Sequence, residues 1–539
     1  MVAPFTGKTL LIGSGACARR IAEDIWTQTS DLIIASTGEN FGLSTRPVPV
    51  AKTEEGNKIF TRTKVHSCRG TVGDFKVVLE CNGKKRTAAV AKVIIAEDEK
   101  RRPGFSSYGL TRTAKVMALS QLEELLPELS EDRSLISAIK TVVFLVGIDT
   151  ESNSVIFEEI MQSCLKLQAL QKLKIYILTK NLKVAANGLE KMYRATRDAG
   201  VIYIKFTHTP PDIIQLADGS VCIEFTDEIT GRRLKLAADL TIVEEKIIPS
   251  DYSADLARIF ELEEDLNGFP QGDNVHRLTV FTNRKGILVA GAARGVQSLP
   301  DQFADADNAI LSLRNIEKQP ADQIAGKAQI ENGKCVRCLT CYRLCPYRAI
   351  QFNTRVSIAP AACEGCGICL AECPRDAISL VDQIRITDSG VPVTEVIRSA
   401  GESFIPSITA FCCSRSAVSA AQLAACMGKT LPRGYQIVEV PCGGSVSLSQ
   451  ILTAFNSNAD GVMILTCHEG NCHSEVGPRY AQQRVEQIRE HFRSIGIEGD
   501  RLVKKTLASN MGVEFAGTLV EFENQLLAMG PIRLKSEKE

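Results

Sequence analysis

The pattern C-x2-C-x2-C-x3-C, closed by a proline, occurs twice. Cys335, Cys338, Cys341 and Cys345 precede Pro346, and Cys363, Cys366, Cys369 and Cys373 precede Pro374, the second run beginning 28 residues after the first. Soft thiolates at this spacing wrap iron-sulfur clusters, and in a chain with two such runs the fourth cysteine of each crosses over to the other's cluster. The spacing therefore predicts a 4Fe-4S cluster on Cys335, Cys338, Cys341 and Cys373, and a second on Cys363, Cys366, Cys369 and Cys345. Zinc is the competing reading for repeated C-x2-C pairs. Four ligands per run, each run ending in Cys-Pro, favour the clusters.

The remaining cysteines divide in two. Of 19 in the chain, Cys17, Cys68, Cys81, Cys164 and Cys222 are scattered and read as packing or surface thiols, whereas six fall between Cys412 and Cys472. In the latter region SITAFCCS, IVEVPCGG and ADGVMILTCHEGNCH place cysteines at the ends of apolar runs. A parallel α/β domain would bring such strand ends to one edge of its sheet. Cys413, Cys442, Cys467 and Cys472 would then meet, and four thiolates suit a 2Fe-2S cluster. His468 and His473, beside two of them, leave a zinc site as the alternative.

Upstream, residues 7–40 read as strand, turn, helix and strand. Gly13, Ser14, Gly15 and Ala18 form a G-x-G-x-x-A turn, whose bare backbone lets a pyrophosphate reach a helix N-terminus. The other reading is a glycine turn that only packs helix on strand, because the strand end carries Ser36 and Thr37, with Glu39 slightly beyond, where an acidic ribose ligand is expected. Alternating residues from 55 to 98 suggest a small antiparallel sheet returning to a parallel strand. A second α/β unit, without a glycine fingerprint, follows at 141–206, and residues 286–316 give a strand, a turn at Gly291-Ala292 and a helix. One dinucleotide-type domain interrupted by another is the organisation expected: 1–115 with 250–328, an inserted 116–249, a two-cluster module at 329–385, a linker at 386–408 and a last α/β domain at 409–539.

Charge and hydropathy set limits. With 63 basic and 63 acidic residues there is no global field for nucleic acid or an anionic membrane, and no apolar run reaches membrane-helix length. The opening MVAPFTGKTLLIGSG does not read as a signal peptide, so a reducing, cytoplasmic setting without disulfides is expected. No nucleophile-base pair or H-E-x-x-H motif points to a catalytic residue.

Residues 1–380, through GAARGVQSLPD and the doubled cysteine motif, resemble the A-type subunits of heterodisulfide reductase and their relatives, flavoproteins built like thioredoxin reductase with ferredoxin modules. Residues 409–539, through AFCC, PCGG, NADGVMILTCHEGNCH and the tail after GIEGDRL, resemble the delta subunit of methyl-viologen-reducing hydrogenase. A fusion of the two is similar to the B subunits of quinone-interacting membrane-bound oxidoreductase complexes. The resemblance implies a two-dinucleotide-domain α/β flavoprotein fold with a ferredoxin module and an α/β iron-sulfur domain. It implies FAD, with its pyrophosphate over Gly13 and Gly15 and its isoalloxazine near Gly291-Ala292. It implies an electron-transfer subunit working with other flavin or iron-sulfur subunits, one of them membrane-bound and quinone-interacting. The alternatives are a flavin-free iron-sulfur relay and docking scaffold, or a self-contained NAD(P)H oxidoreductase; the latter needs a second glycine fingerprint near Val146-Gly147, where the chain reads VGIDTESN. There are departures from the family. Ile95-Ala96-Glu97-Asp98 replaces an ATG-type turn beside the flavin, only Cys164 remains where a further N-terminal cysteine cluster is expected, and Ser416 replaces the third cysteine of the opening delta motif. Cys413 is therefore taken as ligand, with Cys412 as its substitute.

Overall fold

The computed structural model describes residues 7–28, 31–41, 57–132, 137–228, 230–270, 274, 276–277, 279–318, 326–381 and 404–532. Most of the expected linker lies outside the described residues. Short apolar runs such as TLLI, LIIA, TVVFL and GVMILT form strands covered on both faces, as parallel sheets require.

Three such sheets organise the chain. The first runs in the order Ile287–Val289, Lys92–Ile95, Thr9–Ile12, Leu32–Ala35, Lys58–Phe60, all parallel, with helices Ala16–Gln28 and Leu299–Lys318 packed together beside it. Between its third and fourth strands in chain order stands an antiparallel sheet of Thr63–Thr71, Asp74–Cys81 and Lys84–Val90. The second parallel sheet, Ile202–Lys205, Lys174–Thr179, Thr141–Leu145, Leu240–Val243, Val116–Ala118, has its own three-stranded antiparallel sheet. The two connections between these bodies pair with each other as an antiparallel ribbon, Lys100–Pro103 against Glu245–Ile248. Two parallel α/β bodies, each with an antiparallel insert and one interrupting the other, make the two-dinucleotide-domain α/β fold.

The ferredoxin module is built from very little secondary structure. Strand Ala328–Ile330 pairs with Ile378–Leu380, Ile350–Phe352 pairs with Val356–Ile358, and helices Thr340–Leu344 and Ile368–Ala371 lie between. Its buried side chains, Ala349, Ile350, Val356 and Ile378 among them, join one core with Val65, Phe75 and Val77 of the first antiparallel sheet. The last domain is a parallel sheet in the order Tyr435–Val440, Ile408–Cys413, Gly461–Thr466, Leu502–Thr506. Helices Ala417–Cys426 and Gly512–Met529 cover one face, and Leu448–Asn456 and Gly477–Ser494 the other. Among the described residues no helix is long and apolar enough to cross a membrane.

Candidate iron-sulfur centres

Folding of the ferredoxin module sorts its eight cysteines into two groups. Cys335, Cys338, Cys341 and Cys373 line one concave space, and Cys345, Cys363, Cys366 and Cys369 line another. Three thiols of each space come from one run and the fourth from the other. Backbone N–H groups point at the sulfurs: Ala328 and Gly365 donate to Cys363 at 3.4 Å each, Ala349 to Cys345 at 3.4 Å and Ala377 to Cys373 at 3.3 Å. Burial pushes the Cys341, Cys345, Cys366 and Cys369 thiols above their usual range, while the Thr340 hydroxyl and N–H hold Cys338 below it. Buried thiols become thiolates when a metal supplies the positive charge, so this donor set suits iron-sulfur clusters.

The third group lies at the carboxyl edge of the last sheet. Cys413 ends strand Ile408–Cys413, Cys442 follows Tyr435–Val440, Cys467 follows Gly461–Thr466, and Cys472 stands in the loop before helix Gly477–Ser494. All four are 2% exposed and form one cluster with Ile368, against which Cys366 packs. Cys413 and Cys467 sulfurs are 3.7 Å apart, and the Ser416 hydroxyl lies 3.4 Å from Cys467 Sγ. Alternation along the strand turns Cys412 to the opposite face, into the alanine-rich core under helix Ala417–Cys426. The two histidines have other partners: His468 Nε2 is 3.4 Å from Met511 Sδ, and His473 Nδ1 is 3.1 Å from the Tyr347 hydroxyl. Among the described residues no group of three or more His, Cys, Asp or Glu side chains forms a single-ion cage. Helix Gly477–Ser494 can start here only because its first residue has no side chain; a Cβ on Gly477 would lie 2.4 Å from Cys442 Sγ and 3.3 Å from Cys472 Sγ.

A dense contact joins the second ferredoxin space to this third group. Gly367, between Cys366 and Ile368, takes φ +75°, and a Cβ there would lie 2.8 Å from the Ser445 Cβ. The Tyr347 hydroxyl donates to the His473 carbonyl at 3.0 Å, Arg484 Nη2 donates to Glu372 at 2.7 Å, and Asn274 Nδ2 donates to the Cys472 carbonyl at 2.9 Å. Arg277 and Glu475 form a further ion pair. Burial, with Arg415 and His276 nearby, brings His473 down to about 4, so its ring is neutral at pH 7. Sequence reasoning misses Tyr347, Arg484, Asn274 and Gly477. Pro346-Tyr347 beside a cluster cysteine is visible in the chain, but its partner 126 residues away is not.

At the first sheet, Gly13, Ser14 and Gly15 lead from strand Thr9–Ile12 into helix Ala16–Gln28, and Ala18, fully buried, lets that helix sit on the sheet. The Asp98 carboxylate lies over Gly15: a Cβ there would be 2.4 Å from it. Behind it Glu97 is buried, accepting from the Thr37 hydroxyl at 3.0 Å, with Oε2 left without a partner. Glu39 is committed to Arg62 at 2.7 Å. Gly291 and Ala292 form a buried turn after strand Ile287–Val289, and Gly291 packs on Cys17. Cys17, which a helix N-terminus could activate, is instead pushed up to about 12 by burial and by Asp305, and so is a packing residue. The glycine turn thus has the backbone a pyrophosphate needs, but its charge opposes one while the exposed Asp98 side chain lies across it.

Residues 327–374 match the family described as 4Fe-4S dicluster domain, and residues 408–530 the one described as methyl-viologen-reducing hydrogenase, delta subunit. The D-type iron-sulfur subunit of the F420-non-reducing vhc hydrogenase of Methanococcus voltae is 33% identical over 134 residues, which are 25% of this chain and 93% of that protein. Through residues 408–530 the chain belongs to the methyl-viologen-reducing hydrogenase delta-subunit family. Most of the rest is homologous to the A-type subunits of heterodisulfide reductase. That of the ferredoxin:CoB-CoM heterodisulfide reductase of Methanosarcina mazei is 23% identical over 363 residues, 67% of this chain and 45% of that protein, so the chain spans about half the length of this relative. Among solved structures, Lactococcus lactis thioredoxin reductase covers 58% of this chain and 100% of its own at a TM-score of 0.37 and 14% identity. The delta-type domain packs directly against the 4Fe-4S dicluster module.

Proposed function

We propose that this protein is an electron-transfer subunit of a multi-subunit oxidoreductase complex, with three iron-sulfur centres in a row. The ligand sets are Cys335, Cys338, Cys341 and Cys373 for one 4Fe-4S cluster, Cys345, Cys363, Cys366 and Cys369 for the second, and Cys413, Cys442, Cys467 and Cys472 for a 2Fe-2S cluster. The observation that carries this reading is the packing of Cys366 and Ile368 against the four delta-type thiols. Iron-sulfur clusters in these sites would take up and release single electrons. The chain's own part is to fix the distances between sites, to keep water from the inner two, and to hold sulfurs under backbone N–H donors. Zinc in the delta-type site would stiffen the domain without carrying an electron.

The reading extends to a cytoplasmic complex in anaerobic energy metabolism, whose other members are flavin or iron-sulfur proteins and include one that is membrane-bound and quinone-interacting. FAD belongs to it at Gly13–Gly15 and Gly291-Ala292, once Asp98 swings off the turn; with Asp98 where it lies, no electron step is assigned through the flavin. Asp98→Ala is expected to tighten FAD binding about tenfold or more, since two like charges about 4 Å apart near a surface repel by a few kcal/mol. Flavin retained after anaerobic gel filtration is the readout, and equal retention in both proteins would refute the conflict of charge.

Gly477→Ala tests the delta-type site. The added methyl displaces the Cys442 thiol, so the 2Fe-2S absorption and EPR signals should vanish while the 4Fe-4S signals stay. Unchanged spectra would mean that Cys442 is not a ligand.

A further inference from the structure

The twelve cysteines assigned to clusters are unequally covered. The delta-type thiols are 2% exposed, shut in by Ile368, Cys366 and the loop that Asn274 fastens; Cys363 and Cys369 are also buried. Of the twelve, Cys338 alone is exposed. It stands on a ridge with Val336, 60% exposed, and Tyr342, 39% exposed. Arginines surround it. Arg337 and Arg375 line the same space as the four cysteines, and Arg343 donates to the Cys338 carbonyl at 3.3 Å. All three are exposed, and among the described residues none is ion-paired with a carboxylate. Of the acids close in sequence to these cysteines, Glu331 is taken by Lys334 and Glu372 by Arg484, each at 2.7 Å, which leaves Asp376. On a chain whose charges cancel overall, this is a local basic rim around an apolar centre at one end of the row.

We propose that the Cys338 ridge is the outward port of the relay, and that it docks a protein partner carrying a one-electron group behind a carboxylate-rich surface. The proposal rests on the cluster assignment above. An apolar centre with a charged rim is the anatomy of a protein interface, and complementary charge acts mainly on how fast partners meet. In each encounter the partner's group is oxidised by one electron and the first cluster is reduced by one, or the reverse, with no bond made or broken. The delta-type site, faced by Ile368 and Cys366 of the chain's own ferredoxin module, lies at the other end of the row.

The test uses the full chain, anaerobic and loaded with iron. A reduced plant-type 2Fe-2S ferredoxin serves as an acidic carrier and methyl viologen radical as a small cation, with rates followed by stopped flow. Arg337→Glu with Arg375→Glu should slow the acidic carrier about tenfold or more at low salt and flatten its salt dependence. The viologen rate should not fall, and iron content and EPR should match wild type. An unchanged ferredoxin rate and salt slope, with clusters intact, would overturn the port. Wild-type protein without iron at Cys335, Cys338, Cys341 and Cys373 would instead overturn the cluster assignment beneath it.

Discussion

Cys369→Ala is expected to remove the second 4Fe-4S cluster and to unfold the ferredoxin module with it. No strand or helix of that module exceeds five residues, so local structure cannot hold it together. A structural metal can contribute on the order of 10 kcal/mol to folding. Cys369 is 9% exposed and belongs to the core that the module shares with the first antiparallel sheet, so its loss also leaves a hole in that core. The damage should reach the delta-type domain through Gly367 and Ser445. Limited proteolysis and iron analysis of the purified variant are the checks, and a protease-resistant module with full iron would contradict the assignment.

Cys467→Ser should act in the opposite manner, abolishing the redox chemistry of the last domain and sparing its fold. The parallel sheet there has an apolar core on each face, one built on Met463, Leu465, Phe515 and Leu519 and the other on Ile464, Ile451, Val485 and Ile488. Neither depends on metal. Losing one of four ligands should weaken cluster binding by about a hundredfold or more, since even the groups that only orient ligands are worth up to that much. Electron transfer into the delta-type site should stop, while circular dichroism and the thermal midpoint of the domain move little. Unfolding of the domain in this variant would show instead that the metal holds the sheet together.

These two outcomes differ for a reason that is only half legible in the chain. The cysteine runs already give the sorting of the ferredoxin module's eight thiols into two groups of four, three from one run and one from the other. Strand-turn-helix order at Gly13 and at Gly291 likewise gives the first sheet, and strands 141–145 and 174–179 fall where apolar runs stop. The convergence of Cys413, Cys442, Cys467 and Cys472 is readable as strand ends, and period-two alternation separates Cys413 from Cys412 once the strand is known. Docking is not readable. Tyr347 with His473 and Arg484 with Glu372 are pairs of distant residues with no local pattern, and the cover over the delta-type thiols comes from another module. Asp98 is visible as a departure, yet its seat on Gly15 follows from how strand Lys92–Ile95 exits beside the glycine turn.

What fills the three thiol sets decides whether the chain is a relay, and Mössbauer spectroscopy of iron-57-enriched protein purified without oxygen counts this directly. Two 4Fe-4S clusters and one 2Fe-2S cluster predict iron in the two types at about four to one, with the 2Fe-2S part lost in Cys467→Ser. Iron of the 4Fe-4S type alone, with stoichiometric zinc in the same sample, would contradict a three-centre relay and reduce the last domain to a structural dock.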